Sequence, residues 1–478
     1  MTHVDPTHDD PVVAGMSGAV GGPLGERAAR GGAFSVLGVL LAITALTFAL
    51  GLLTKTTCAN DDWSPQQADR FTHACSSEVA DEYTGTGLVE LAWPWSGDEA
   101  TRERYPVTDE PALVGLWTYA TARVTHLLSG SPDISERYRQ PATTVAQSDD
   151  AAAERSLFMA VNAVLLAGVA MLATAALAAV HRRRPWDAAG FAAAPVLAVA
   201  GAISFDLLAV AAVAGALWAW SRGRGVLAGA LLGVGAAAGV WPVLVLAAFL
   251  LVAVTERRAT WVLPTVVTAV GTWAVLNAPA FLTGRTQWER AWSATFERSA
   301  DRGSLWRIVA DTAGLATDVG LVVSWLLVAL WTGLVVALVL LAPARPRVSQ
   351  VALLLVAGYA LLGIVYEPQQ ALWLLPLAAL ARPRWRDLLV WQAGEVFFLA
   401  ATSWWEGGLL SPGDGEQSGF YWVAIVIRLV CTGWLVAVVV RDLWWPEADP
   451  VEDPETPPAG RSGDEAQDST MRSNVVAV

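Results

Sequence analysis

The sequence predicts an all-α polytopic membrane protein, a bundle of about twelve helices with one long polar loop after the first. Three observations predict it. Apolar residues make up 54% of the 478-residue chain and charged ones only 16%, far from the balance of a water-soluble domain. Apolar runs of roughly 20 residues recur, the length a helix needs to cross about 30 Å of hydrocarbon. The short connectors between these runs carry arginine. The net charge of −13 arises largely in the tails and the first long loop, so it points to no nucleic-acid partner.

Residues 1–32 are rich in Gly, Pro, Asp and His without periodicity and read as a disordered tail. The membrane domain follows over 33–441. Its first run, 34–53, is long and has no small-residue cleavage site after it, so a crossing helix is expected there rather than a signal peptide. A large polar loop occupies 55–156. The five connectors at 181–185, 221–225, 256–258, 343–347 and 382–386 hold twelve arginines between them. Placed in the cytoplasm, they orient every run consistently. The runs 34–53, 157–180, 190–203, 204–220, 226–239 and 242–254 alternate in direction, as do 259–279, 318–342, 348–365, 369–381, 386–402 and 420–441. Both termini are then cytoplasmic, and the protein belongs in the cell membrane.

Several of these runs are too short to span alone. The pairs 190–220 and 226–254 are expected to turn back early or line a cavity, where irregular backbone is tolerated. The apolar stretch Ala112–Leu128 would break the alternation and carries Arg123 and His126. A helix along the outer interface is expected instead, with Trp117 and Tyr119 at headgroup level. Cys58 and Cys75 share the outer loop, where an oxidising compartment permits a disulfide, while Cys431 sits in an apolar run. The acidic, Pro-rich stretch 442–478 reads as a second disordered tail.

With this topology the unusual polar residues gather on the outer side: the 55–156 loop, Asp206, the turn 239–242, the segment 284–311 and the turn 366–370. Their convergence implies a cavity opening outward. Asp206 reads equally as an N-cap or a site residue. Glu367, Gln369 and Gln370 read as turn and cap residues or as part of the cavity. Arg285, Arg290, Arg298, Arg302 and Arg307 suit an anionic ligand, or a salt-bridged surface helix with Glu289, Glu297 and Asp301. Glu395, beside Gln392 in an apolar run, calls for a partner, and Arg428 is the expected one. No Walker loop, dinucleotide fingerprint, zinc-ligand pair or nucleophile elbow occurs; no cofactor is expected, and a divalent metal stays open with no ligand-spaced cluster to support it.

The stretches LAGALLGVGAAAGVWPVLVLAAFLL (227–251), RSADRGSLW (298–306) and VYEPQQALWLLPLAALARPRW (365–385) resemble bacterial GT-C class integral-membrane glycosyltransferases. Glycosyltransferase family 87, which includes polyprenyl-phosphate-dependent mannosyltransferases, is the nearest likeness. CSSEVADEYTGTGL, WPW, RYPV and RPWDAAGFAAAPVLAVAGAISFDLLAV extend it over roughly residues 34–445. The resemblance implies a GT-C-like bundle, an extracytoplasmic site and an acidic base in the first loop, which falls on Glu78. Where the relatives tend to carry lysines, this chain has Gly239 and Ile364. Their Asp-Trp-Gly-Ser becomes Asp301-Arg302-Gly303-Ser304.

The implied reaction moves a sugar, with mannose the nearest precedent, from a polyprenyl-phosphate donor to a lipid or glycan acceptor, with inversion. Glu78 takes the acceptor proton, Arg298 and Arg302 hold the leaving phosphate, and Tyr105, Asp206, Asp301 and Gln369 line the pocket. Asp81, Glu82 and Asp109 are alternative bases. Trp93 and Trp95 read as sugar-stacking residues or interfacial anchors. Two rival classes stand beside this reading: a non-catalytic GT-C-fold binding or scaffold protein, and a lipid or solute transporter, although no internal repeat is found.

Overall fold

The computed structural model describes residues 35–56, 69–75, 77–106, 108, 110–256, 259–296, 300, 303–314, 316–410 and 419–451. All regular structure among them is helical. The helices of eight or more residues are labelled in chain order. The first four are α1 (Val36–Thr56), α2 (Glu78–Gly85), α3 (Ala112–Leu128) and α4 (Asp149–Val180). A group of shorter helices follows: α5 (Leu207–Ser221), α6 (Gly225–Ala238) and α7 (Pro242–Thr255). Next come α8 (Ala259–Thr283), α9 (Arg285–Phe296), α10 (Leu305–Ala313) and α11 (Thr317–Leu341). The last four are α12 (Val348–Leu362), α13 (Ala371–Ala381), α14 (Trp385–Glu406) and α15 (Gly419–Trp444).

Five of these, α1, α4, α8, α11 and α15, contain stretches long and apolar enough to cross a membrane. Their outward faces carry large apolar side chains with nowhere to hide from water, such as Leu46, Leu263, Val275 and Leu330. A lipid-facing belt accounts for them, and the chain is a multi-pass helical membrane protein. Helix α4 begins well before its apolar run. Ser148 accepts from the Ala151 amide at 3.2 Å, and Asp149 and Asp150 occupy the positive first turn. The run 190–203, expected as one helix, is broken into Ala189–Ala192 and Pro195–Ala200. Pro195 forces Ala194 into extended backbone (φ −73°, ψ 124°), which ends the first piece.

Close packing in the middle of the bundle depends on small residues. Gly225, Gly229 and Gly233 recur every four positions and lie on one face of α6. A Cβ on Gly229 would strike the Thr265 carbonyl of α8, and one on Gly233 the Ala269 carbonyl. Without side chains there, the two backbones approach closely, the usual means of helix association in lipid.

The arginine connectors 181–185, 221–225, 343–347 and 382–386 lie at one end, while Arg257 and Arg258 fall outside the described residues. Arg222 donates to the Ala179 carbonyl, and Gly223 and Gly225 lie against Trp261 and Thr265 at the start of α8. Helix α15 runs on to Trp444, and residues 445–451 cross this same end. Arg184 donates to the Pro450 carbonyl (2.6 Å), Arg347 to Asp449 (2.8 Å), and the fully buried Arg382 to Asp387 (2.9 Å) and Asp442 (2.6 Å). The boundary expected at 442 thus falls inside an ordered helix. Residues 1–32 and 452–478 lie outside the described residues.

At the opposite end, helices α5, α6 and α7 are only 14 or 15 residues long, about 21–23 Å by helical rise. Helices this short do not cross a ~30 Å hydrocarbon layer, so with the arginine end at one membrane surface their turns at 201–206 and 239–242 stop below the other, which implies a recess floored by irregular backbone.

Candidate active site

The polar loop reaches into this recess through α2. The Glu78 amide donates to the Ile203 carbonyl (2.9 Å), and the Ser77 hydroxyl donates to the Ala202 carbonyl (3.0 Å). On its other side α2 is tied to α4, because the Tyr83 hydroxyl donates to Glu154 (2.9 Å). Glu154 also receives Arg137, whose guanidinium donates to the Val89 carbonyl (2.8 Å). Cys75 is disulfide-bonded and Cys431 is a free thiol; Cys58, the remaining cysteine, lies outside the described residues. Glu78 is the first residue of a helix anchored on both faces.

Its side chain meets Gln369, from the turn before α13, whose amide donates to it at 2.9 Å. The same amide donates to Glu367 (2.9 Å), so one neutral group bridges two carboxylates from opposite ends of the sequence. Asp206 belongs to the same end. It makes no capping bond at the start of α5; its carboxylate accepts from Ser204 (2.7 Å) and from the Trp373 indole (2.8 Å) instead. Of its two sequence readings, the capping one fails. Trp373 in turn stacks on Trp241 of the 239–242 turn, with centroids 5.8 Å apart. The fifth polar element joins through Gly303, whose amide donates to the Tyr366 carbonyl (3.1 Å).

Glu78 remains accessible to solvent although protein surrounds it, as expected of a group on the wall of a recess. Burial, and after it the neighbouring carboxylates Glu367, Glu110 and Asp206, push its carboxyl well above the usual range, while the Gln369 amide pulls the other way. A carboxylate held with a raised proton affinity, reachable by a ligand and oriented by an amide, is equipped to accept a proton.

Other expected site residues go elsewhere. Tyr105 is buried against Gly87, with the Arg104 guanidinium 5.5 Å from its ring, and makes no hydrogen bond to Glu78, Asp206 or Gln369. Trp95 is fully buried against Gly115, while Trp93 donates to Thr283 (2.8 Å). Glu82 accepts from Thr108 (3.2 Å). Arg285 pairs with Glu289 and Arg307 with Asp311, so these two arginines follow the salt-bridged-helix reading. Arg298, Asp301, Arg302 and Asp109 lie outside the described residues. Gly239 lies in the recess turn, and Ile364 is buried beside Trp306.

The pairing expected of Glu395 and Arg428 takes another form. Glu395 accepts from Tyr366 (2.7 Å), Trp391 (3.0 Å) and Thr432 (2.9 Å), and no direct ion pair joins it to Arg428. Arg428 lies 3.6 Å above the Tyr366 ring and donates to the Ala360 carbonyl (3.2 Å). The tyrosine stands between the charges. Sequence reasoning placed Trp241 and Tyr366 in the converging turns without giving either a role, and it missed Trp373; aromatics beside intramembrane acids were the available signal. No protein-family model matches the chain, and no curated protein matches it.

Proposed function

We propose that this protein is a membrane glycosyltransferase that moves a sugar, mannose first among those to test, from a polyprenyl-phosphate donor to an extracytoplasmic lipid or glycan acceptor. Glu78 acts as general base. The observation that carries this reading is the meeting of a solvent-accessible Glu78 with Gln369, close enough to Glu367 and Asp206 to feel their charge. In this reading the arginine end faces the cytoplasm of the cell membrane, as positive charge usually does, and the recess opens on the other side, where a disulfide persists.

The acceptor hydroxyl attacks the anomeric carbon as Glu78 takes its proton, and the C–O bond to the lipid phosphate breaks with the electron pair leaving on phosphate. Arg298 and Arg302 are assigned to hold that phosphate. Because the base must be ionised, the raised proton affinity of Glu78 makes transfer rise with pH until the carboxyl has titrated.

The test supplies membranes with radiolabelled polyprenyl-phosphate mannose and an acceptor-lipid extract. Wild type transfers label, and Glu78→Gln loses roughly 10²–10⁴-fold, the usual worth of a positioned base. Unchanged transfer by Glu78→Gln removes Glu78 from the reaction. Gly239 and Ile364, standing where a phosphate-neutralising lysine is expected from the resemblance, favour a second reading: a non-catalytic binding or scaffold protein. Wild type that transfers none of a panel of polyprenyl-phosphate sugars supports it.

A further inference from the structure

Between α12 and α13 the chain passes through the turn 363–370, which supplies Glu367 and Gln369 to the candidate site. Its middle is extended, with Glu367 at φ −111° and ψ 149°, and one tight helical turn, Pro368–Gln370, follows. An extended single strand lacks the repeating hydrogen bonds that stiffen a helix, so its position is set by what grips it from outside. Ile364 and Val365 are gripped by apolar contact with Trp306. Tyr366, completely buried, is gripped by charges.

The Tyr366 hydroxyl donates to Glu395 of α14 (2.7 Å), and the Arg428 guanidinium of α15 sits over the ring face, 3.6 Å from its centroid. Glu395 and Arg428 are 3% and 0% exposed. The hydrogen bond fixes the direction of the ring and the cation over its face fixes the plane. Apolar packing alone would fix neither so sharply, and both interactions strengthen where water is excluded. The arrangement has a cost. Arg428 leaves Nε and Nη2 without a hydrogen-bond partner, groups that a direct ion pair with Glu395 would use. A buried acid and base held apart by an aromatic ring give up stability and gain a fixed ring.

The site is built on that ring from two sides. The Tyr366 carbonyl accepts from the Gly303 amide (3.1 Å), and a Cβ on Gly303, next in the chain to Arg302, would strike that carbonyl and the Phe398 ring. Phe398 itself packs on Tyr366 with centroids 5.8 Å apart. Three residues after Tyr366, the Gln369 amide donates to Glu78 and to Glu367 (2.9 Å each).

We propose that Tyr366 is a positioning residue of the candidate site: gripped by Glu395 and Arg428, it holds the 363–370 turn where the Gln369 amide meets Glu78, and it seats Gly303 beside that turn. The proposal rests on the glycosyltransferase reading only for what Glu78 does, and the positioning is measured without transfer.

Glu78 reports on the turn, because Gln369 opposes the effect of Glu367, Glu110 and Asp206 on its proton affinity. Dicyclohexylcarbodiimide adds to protonated carboxyl groups and leaves a stable acylurea, so the pH at which labelling of Glu78 falls by half tracks that affinity. The full chain in nanodiscs is labelled across a pH series and the Glu78 peptide is quantified by mass spectrometry. Gln369→Met, which cannot donate, moves the midpoint up by about one pH unit, the usual worth of a hydrogen bond to a carboxylate. Tyr366→Phe keeps the ring under Arg428 and leaves Glu395 its bonds to Trp391 and Thr432, so it folds. It moves the midpoint the same way, by no more than Gln369→Met, and adds nothing in the Gln369→Met background. Glu395→Gln keeps a hydrogen-bonding partner for the hydroxyl and stays nearer wild type than Tyr366→Phe. A tyrosine that only stabilises the fold lowers the thermal midpoint and leaves the Glu78 profile unmoved, which overturns the proposal. So does a Tyr366→Phe shift of equal size with and without Gln369, or a Gln369→Met profile that coincides with wild type. The expected shifts in a protein that transfers none of a panel of polyprenyl-phosphate sugars remove the enzyme reading and leave the positioning standing.

Discussion

The buried charges of the arginine end and the carboxylates around Glu78 are handled in opposite ways. At the arginine end, Arg382 is fully buried and answered by Asp387 and Asp442, while Arg347 is answered by Asp449. At the loop end Glu154 and Glu90 are likewise answered by Arg137 and Arg104, but around Glu78 acids face acids: Glu78 and Asp206 are held by an amide, an indole and a hydroxyl, and Glu78 feels the charge of three other carboxylates. Paired charges close a surface and hold connectors to the last helix. Carboxylates gathered on a recess wall raise one another's proton affinity, a cost to the fold that a proton-handling site has reason to bear.

The contrast breaks first, if it breaks, at Arg382. Its replacement by Ala leaves the buried Asp387 and Asp442 with only their outer partners, Arg386 and Arg441 (3.1 Å each), a loss of about 3 kcal/mol, the low end for a broken buried pair. The thermal midpoint of the chain in nanodiscs should fall sharply. A change within about 1 kcal/mol of wild type would mean that the arginine end is no more tightly closed than an ordinary surface. Trp373→Phe tests the other end more gently. The variant keeps the stack on Trp241 and on Tyr359 but removes the 2.8 Å bond to Asp206. A bond to a carboxylate is worth about 1.5 kcal/mol at the low end, so transfer should drop about tenfold while the fold survives. Full activity in this variant would detach Asp206 from the site.

The helices were readable because span length and apolar composition are local properties. The stretch Ala112–Leu128 emerges as a helix with the expected limits, and eleven of the twelve apolar runs coincide with helices to within a few residues at most ends. The exceptions have local causes as well: Pro195 interrupts an apolar run that hydropathy alone reads as continuous, and the Ser148 cap starts α4 in a polar stretch that hydropathy ignores. The site was legible only in its acids and amide. Glu78, Asp206 and Gln369 declare themselves by polarity against an apolar background, but their geometry rests on contacts that skip hundreds of residues. Trp373 and Trp241 looked like ordinary membrane aromatics, since nothing in a periodic apolar run says that an indole N–H points at a carboxylate. For the same reason Tyr366 was absent from the expected pairing of Glu395 with Arg428, whose charges it separates.

The smallest effect concerns stability and has a definite sign. A carboxyl whose proton affinity is raised by folding binds its proton more tightly in the native state than in the unfolded one. Its protonated form is therefore well tolerated at acid pH, and stability declines as pH rises from the unfolded value near 4.3 through the raised native one. Glu78→Gln, which cannot ionise, escapes that decline. Unfolding midpoints of wild type and variant should coincide near pH 4 and separate toward pH 8, with the variant the more stable. The opposite separation, Glu78→Gln weaker at pH 8, would require Glu78 to be held as an anion by a cation, as the carboxylates of the arginine end are. The two sets of buried groups would then differ only in which charge is buried. The predicted order, a variant that gains stability where it loses transfer, is the signature of a residue retained for chemistry rather than for the fold.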